Sequence, residues 1–351
     1  MASRASPPTP SLPTALSQAL ITFTIEFDNE FEHRIEHHTS NKAGRSGVWL
    51  TSMVMWSNFM RLIPAGGVAL HEVEANGRIT NLGGLQRWGY ISIEPADRTV
   101  HLKPGGRRAQ EVWRPLAGEV EQRWRERFGD AAIDELRQAL SSVADPALPL
   151  YLPVVGYADG MRAGHVRGAP GAVAEDLAAL LSQALLSFTL EYEEGSTLSL
   201  AMSADVVRVL SADGVPVRDL PARSGVSKEA ITAAVGFLQR NGYAAVEPDP
   251  ASRSKLVRLT EQGLAAQARH ARLAKAVERR WRRRLGGDFD RLAKALISGR
   301  QLVLGLQPYP DGWRAARNPY RARTQAVLAD PASALPRYPM VLHRGGYPDG
   351  S

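Results

Sequence analysis

LPARSGVSKEAITAAVGFLQRNGYAAVEPDPASRSKLVRLTEQG, residues 220–263, decides the fold. It reads as helix, tight turn, helix, then a β-hairpin. The first helix is VRDLPARS (Val217–Ser224), and Gly225-Val226 supplies the turn, as such units often require. Ser227 suits the N-cap of a second helix running to Asn241, because its side-chain oxygen can accept from the first free backbone donors. Asn241-Gly242 ends that helix, with glycine free to turn left-handed. Tyr243–Glu247 and Lys255–Leu259 are β-prone around a turn at Pro248–Ser252, and Arg253 and Lys255 lie at its tip. Thr260-Glu261-Gln262-Gly263 opens a long helix to about Leu285, and a last helix is expected over Asp288–Leu304. Upstream, Leu177, Leu180, Leu181, Ala184, Leu185 and Phe188 recur at helical spacing, predicting an amphipathic helix over Asp176–Glu193. A short helix over Ala204–Leu210 follows it.

The same series occurs earlier in the chain. LSQALITFTIEFDNE (Leu16–Glu30) matches LSQALLSFTLEYEE (Leu181–Glu194), LQRWGY (Leu85–Tyr90) matches LQRNGY (Leu238–Tyr243), and VEQRWRERFGD (Val120–Asp130) matches VERRWRRRLGG (Val277–Gly287). Three blocks in the same order are the signature of an internal repeat. VADPALPLYLPVVGYADG (Val143–Gly160) also resembles LADPASALPRYPMVLHRGGYPDG (Leu328–Gly350), and the Pro and Gly content predicts extended arms. The chain therefore divides into an N-terminal flexible arm (1–13), a first module (14–142), an extended linker (143–171), a second module (172–304) and a C-terminal extended arm (305–351). The copies are unequal. Val73 to Leu85 spans six fewer residues than Leu220 to Leu238. The second helix of copy one, expected at Thr80–Trp88, contains Gly83-Gly84, and each glycine costs a helix roughly 1 kcal/mol relative to Ala. Its hairpin, Ile91–Leu102, is shorter but carries Asp97 and Arg98.

Composition narrows the classes. The 351 residues are 44% hydrophobic and 23% charged, proportions of a globular chain with real cores. The absence of cysteine excludes disulfides, thiolate metal sites and cysteine nucleophiles. The N-terminal MASRASPPTPSLP has no apolar core of a secretory signal, and no apolar run nears the roughly 20 residues of a membrane span. A cytoplasmic protein without a membrane partner is expected. A net charge of +7 favours nucleic acid through long-range attraction.

The order of elements, together with Leu220–Gly225, Leu238–Tyr243 and the Leu259-Thr260-Glu261-Gln262-Gly263 run, resembles the MarR family of winged helix-turn-helix transcription regulators. The resemblance covers about residues 172–304 well and 12–142 more weakly. One departure is that Ala251 stands where the family usually has Asp two positions before Arg253, with Asp249 out of register. It implies a mainly α fold with small β-wings: two tandem winged helix-turn-helix modules forming a MarR-like pseudo-dimer joined through first and last helices, acting as a monomer or a homodimer. It also implies double-stranded DNA as partner and a transcription regulator, a repressor, without a cofactor. In this fold the second helix of the helix-turn-helix enters the major groove, and phosphate contacts set its register. The candidate DNA-binding residues are then Arg223, Ser227, Lys228, Glu229, Thr232, Arg253 and Lys255 in copy two, and Arg78, Thr80, Asn81, Arg87 and Arg98 in copy one.

Other readings compete. A small aromatic ligand that releases the DNA would meet Trp49, Met53, Met55, Trp56 and Phe59, which otherwise belong to the core. In EHRIEHH, His33 and His37 lie one helical turn apart beside Glu36 and His38, a spacing able to hold a divalent metal, although a surface helix end is the preferred reading and no metal is assigned. The cluster Arg279, Arg280, Arg282, Arg283 and Arg284 reads as a solvated helix with acidic partners, or as a DNA-backbone contact. Trp124 and Trp281 read as core. No nucleophile elbow, P-loop or dinucleotide fingerprint points to an enzyme. A non-DNA-binding ligand-sensing or assembly protein on the same scaffold is the alternative.

Overall fold

A computed structural model describes residues 10–35, 52–76, 82–145, 147–148, 176–226, 228–250, 254–298 and 337–338. The chain is mainly helical, with small antiparallel sheets. The first half runs α1 (Leu12–Arg34), α2 (Ser52–Asn58), β1 (Val68–Ala69), α3 (Leu70–Asn76), α4 (Leu82–Arg87), β2 (Ile91–Ile93), β3 (Thr99–Leu102), α5 (Pro104–Phe128) and α6 (Asp130–Ser141). The second runs α7 (Leu177–Glu193), helical turns over Met202–Val206 and Val207–Val209, β4 (Val215–Pro216), α8 (Leu220–Ser224), α9 (Lys228–Arg240), β5 (Ala244–Pro248), β6 (Lys255–Leu259), α10 (Glu261–Leu285) and α11 (Gly287–Ala293), with a π-type turn over Lys294–Ser298.

The likeness between the halves extends to individual bonds. The indole N–H of Trp124 donates to Glu26 at 3.1 Å, and that of Trp281 to Glu191 at 2.8 Å. Phe23 meets Trp124, and Phe188 meets Trp281, edge-on with centroids 5.4 Å apart in both. The side-chain amide of Gln110 donates to the carbonyls of Met60 and Ile63, and that of Gln267 to those of Val207 and Leu210. Asp28 accepts from the backbone N–H of Met53, and Glu193 from that of Leu200. Each of these buried polar groups would cost free energy without its partner, so each pair fixes the long helix and the short helical stretch on the first helix.

The sheets repeat as well. Val68 pairs with Val100 in the order β1–β3–β2, and Val215 with Val257 in the order β4–β6–β5. The hairpins foreseen from sequence are therefore three-stranded: a two-residue strand, too short to show periodicity, closes one edge of each. The helices α4 and α9 end alike. Gly89 and Gly242 both have φ of 76°. Tyr90 N–H returns to Leu85 O, and Tyr243 N–H to Leu238 O, the six-to-one bond of a Schellman cap.

The halves meet through α1 packed on α7 and α6 packed on α11. This placement corrects the amphipathic reading of α7. Leu177–Leu186 is buried on every side, with Ser182 and Gln183 at 0% and 1% exposure. Such all-round burial is what a helix between two layers shows. The polar positions are partnered: Gln183 donates to Leu148 O at 3.1 Å, and Thr189 to Leu185 O at 2.8 Å. Asp176 caps α7 by accepting from Ala179 N–H, and burial raises its carboxyl above the ordinary range against the opposing pull of Arg61 from the first half. The last helix is regular only over Gly287–Ala293, and the expected positions 299–304 lie outside the described residues. No helix among the described residues is long and apolar enough to cross a membrane.

Candidate nucleic-acid interface

α8 stops because Gly225 adopts the left-handed conformation (φ 80°), returning its N–H to Pro221 O. The chain then reverses through Val226, which is fully buried, into α9. Leu220, Ala230, Ile231, Ala234 and Leu238 turn inward and seat the helix pair on the core. The opposite face is thereby left to solvent. Arg223 at the end of α8, Lys228 at the start of α9, Thr232 one turn later and Lys255 at the start of β6 are all exposed. Thr232 donates to Lys228 O at 2.8 Å, which orients its hydroxyl along the helix. Neighbouring Arg218 and Arg258 are drawn to Asp219 and Glu247 at 3.6 and 3.1 Å, whereas Arg223, Lys228 and Lys255 make no ion pair among the described residues. Arg258 also donates to the carbonyls of Ala212 and Asp213, tying the hairpin to the loop before β4. Ser227 and Arg253 lie outside the described residues, and of Glu229 only the backbone, within α9, is described.

α10 begins where the reading helix ends. Thr260 caps it, accepting from Gly263 N–H at 3.1 Å while its hydroxyl donates to Gly242 O at 2.7 Å. Gly263 has no room for a side chain: an added Cβ would lie 2.0 Å from Tyr243 O. Gly106 stands in the same relation to Tyr90 O, also at 2.0 Å. The run Leu259–Gly263, singled out in the sequence, is thus the joint between reading helix, hairpin and long helix.

The first half presents less. α4 is described over Leu82–Arg87 and α9 over Lys228–Arg240, the residue before each lying outside the described ones. Arg87 and Arg98 are exposed, and Arg78, Thr80 and Asn81 lie outside the described residues. Arg98 has φ of 57°, a left-handed non-glycine residue at the hairpin turn. Beside it Asp97 accepts from Thr99 N–H at 2.9 Å, and this bond holds its carboxyl below the ordinary range.

The arginine cluster of α10 is engaged in part. Arg284 meets Glu191 at 2.7 Å, Arg280 meets it at 3.6 Å, and Arg282 meets Asp290 at 3.3 Å. Arg127 makes the matching bond to Glu26 at 2.6 Å. Arg280, Arg284 and Arg127 thus brace the first helices, and Arg282 braces α11. Trp124 and Trp281 are fully buried.

The residues considered for a small aromatic ligand pack into the first half. Met53, Met55 and Phe59 are buried, and Trp56 tilts against Trp113 at 6.3 Å. Trp49, Glu36, His37 and His38 lie outside the described residues, and no group of three or more metal-ligating side chains occurs among the described ones.

Sequence reading missed a buried polar cluster in the second half. Asp205 is fully buried, and desolvation pushes its carboxyl up to about 7. Arg208 is lowered to about 10 and His270 to about 4, in both cases chiefly by burial. Tyr192 Oη lies 3.0 Å from His270 Nδ1. These positions are far apart in the chain and carry no motif; only the departure of Asp205, His270 and Tyr192 from Asn58, Trp113 and Phe27 at the matching places of the first half marks them, the arginine being kept as Arg61.

No protein-family model, no curated protein and no solved structure matches the chain significantly.

Proposed function

We propose that the chain is a double-stranded DNA-binding transcription regulator, a repressor, built as two tandem winged helix-turn-helix modules of MarR-like type that pair within one chain. The observation that carries this reading is the α8–turn–α9 unit followed by an antiparallel hairpin, with Arg223, Lys228, Thr232 and Lys255 exposed on its outer face and the three cations making no ion pair among the described residues. A short helix pair of this kind puts the N-terminal end of its second helix into the major groove, while basic side chains hold phosphates. The packing of α1 on α7 and of α6 on α11 supports the pairing, since these are the first and last helices of each half. α9 is the reading helix, Lys228 and Thr232 meet base edges, and Arg223, Lys255 and Arg253 meet the backbone.

The test is equilibrium binding to genomic duplex fragments, selected to find the preferred site and repeated over a range of salt. Loss of Lys255 should lower the slope of log affinity against log salt by about 1 and weaken all duplexes alike. Loss of Lys228 should cost about 1–3 kcal/mol on the preferred site and relax its sequence. Equal affinity for every duplex at fixed salt, unaffected by Lys228→Ala, refutes sequence-specific reading.

A second reading rests on the short α4 and its Gly83-Gly84. In it the first half is an assembly or ligand-sensing partner that does not enter a groove. Arg87→Ala and Arg98→Ala distinguish the two, because only a groove-reading first half loses affinity on both changes.

A further inference from the structure

The buried cluster of the second half is already filled, and by the chain itself. Backbone N–H of Arg337 donates to Asp205 Oδ1 at 2.8 Å, and Tyr338 lies beside the same carboxylate. Tyr338 is 4% exposed and stands near Thr14 in α1 of the first half. Tyr192 and His270 stand beside the site, edge-on with centroids 5.6 Å apart, and Arg208 faces Asp205 electrostatically. A carboxylate this deep needs donors, and the arm supplies one. Among the described residues Oδ2 of Asp205 and Nε of Arg208 have no partner, and the hydrogen bond that this carboxylate does accept there comes from the arm.

The first half lacks this chemistry. Asn58 replaces the acid, Phe27 the tyrosine and Trp113 the histidine, and Trp113 stacks on Phe31 at 4.5 Å. The polar crevice is therefore a feature of one copy, at the place where residues 337–338 enter.

We infer that the crevice formed by Asp205, Arg208, Tyr192 and His270 is a receptor for the chain's own C-terminal arm, with Arg337–Tyr338 as a strap joining the second half to α1 of the first. The strap is tied to the part that faces outward. Asp205 sits in the helical turn whose following residues, Val207 and Leu210, are held by Gln267 and lead through β4 into α8. Release of the strap loosens this turn and, through it, the seat of α8 and α9. The inference does not depend on what the outer face binds.

Hydrogen–deuterium exchange on the full chain tests it, in the wild type and in Asp205→Ala, Asp205→Asn and Tyr338→Ala. In the wild type the amide of Arg337, bonded to Asp205, and that of Tyr338, buried beside it, should exchange about a hundredfold or more slower than in an unstructured peptide, since such amides exchange only through opening. Asp205→Ala and Tyr338→Ala should bring them within about threefold of the unstructured rate and speed exchange in residues 202–210. Asp205→Asn, which keeps an acceptor oxygen, should retain most of the protection. Unchanged exchange in α5 and α6 shows that the variants remain folded. Fast exchange at 337–338 in the wild type, or protection that survives Asp205→Ala, overturns the strap. Protection that rises with protein concentration assigns the arm to a second copy and overturns the intramolecular form.

Discussion

Replacing Gly263 by alanine separates two forces that act in opposite directions. In a solvated helix the change is favourable by about 1 kcal/mol, because glycine has more backbone entropy to lose. Here the new Cβ would stand 2.0 Å from Tyr243 O, 2.9 Å from Leu259 Cδ2 and 3.1 Å from Tyr243 C. Atoms this close must part by about 1 Å, and the nearest neighbour is backbone, which cannot swing aside. Tyr243 O also accepts from Thr260 N–H at 3.1 Å, so its retreat strains the first turn of α10. Overpacking costs about 1–3 kcal/mol and a lost hydrogen bond about 1 kcal/mol. After the helix gain, the net loss is about 2 kcal/mol, a fall in Tm of about 3 °C at this chain size. Gly106→Ala should behave alike, since its Cβ meets Tyr90 O at the same 2.0 Å. Gly118→Ala is the control: it lies exposed inside α5 with nothing within 4 Å, and should stabilise by up to about 1 kcal/mol. Urea unfolding followed by circular dichroism reads all three. The reasoning fails if Gly263→Ala is as stable as the wild type, or if Gly118→Ala is equally damaging.

Gln267→Leu strips donors from two buried carbonyls, those of Val207 and Leu210, and should cost about 2–4 kcal/mol. Gln110→Leu should match it in the first half, and a double variant measured by denaturant titration should show the two losses adding, since the sites share no partner. Glu191→Gln keeps an acceptor for Trp281 but removes the charge that draws Arg280 and Arg284, both more than two-fifths exposed; a loss below about 1 kcal/mol is expected in salt-dependent melting. The pH dependence of stability should be nearly flat between pH 4 and 6.5 as far as the buried cluster is concerned. Asp205, raised from 3.8 to about 7, binds its proton more tightly folded than unfolded, so its penalty shrinks as pH falls. His270, lowered from 6.5 to about 4, binds its proton more weakly folded, so its penalty grows as pH falls. Asp205→Asn removes the first slope, and the variant should lose up to about 1.4 kcal/mol per pH unit, relative to the wild type, as pH falls from 6.5 towards 4. His270→Phe should tilt the other way, and identical pH profiles for wild type and both variants would refute the pairing of these opposed titrations.

The helix–turn–helix and hairpin of the second half were legible because local chemistry dictates them. Gly225 ends α8, Gly242 caps α9 and Thr260 caps α10, and each acts on residues within one or two turns. The matched blocks also located Glu26 with Glu191 and Trp124 with Trp281, although the bond between each acid and its indole joins segments about ninety residues or more apart. Three things were not legible. The strands β1 and β4 are two residues long and show no alternation. The burial of Ser182 and Gln183 follows from the other half's packing, which no periodicity within α7 records. The Asp205 cluster draws on α7, α10 and the arm, so its residues acquire meaning only once those elements meet.

The two halves divide their labour along the line where their sequences diverge. What they keep is internal: the acid–indole bond, the glutamine between two carbonyls, the glycine beneath a tyrosine carbonyl. All of these position the long helix, and none faces solvent at the reading surface. What differs lies in two places, the length of α4 against α9 and the polarity of the crevice beneath the short helical turns. Both differences enrich the second half. The longer outward helix and the buried acid that holds the arm sit at opposite ends of one short path, from Asp205 through Val207 and Leu210 to α8. A gain of a helix to present and of an anchor beneath it in the same copy is coherent if that copy makes the outward contact and the other serves as its scaffold. A symmetric pair would have needed neither the arm nor the acid. Under the proposed function, the asymmetry gives one chain one principal reading surface, and a second surface of equal strength requires a second chain.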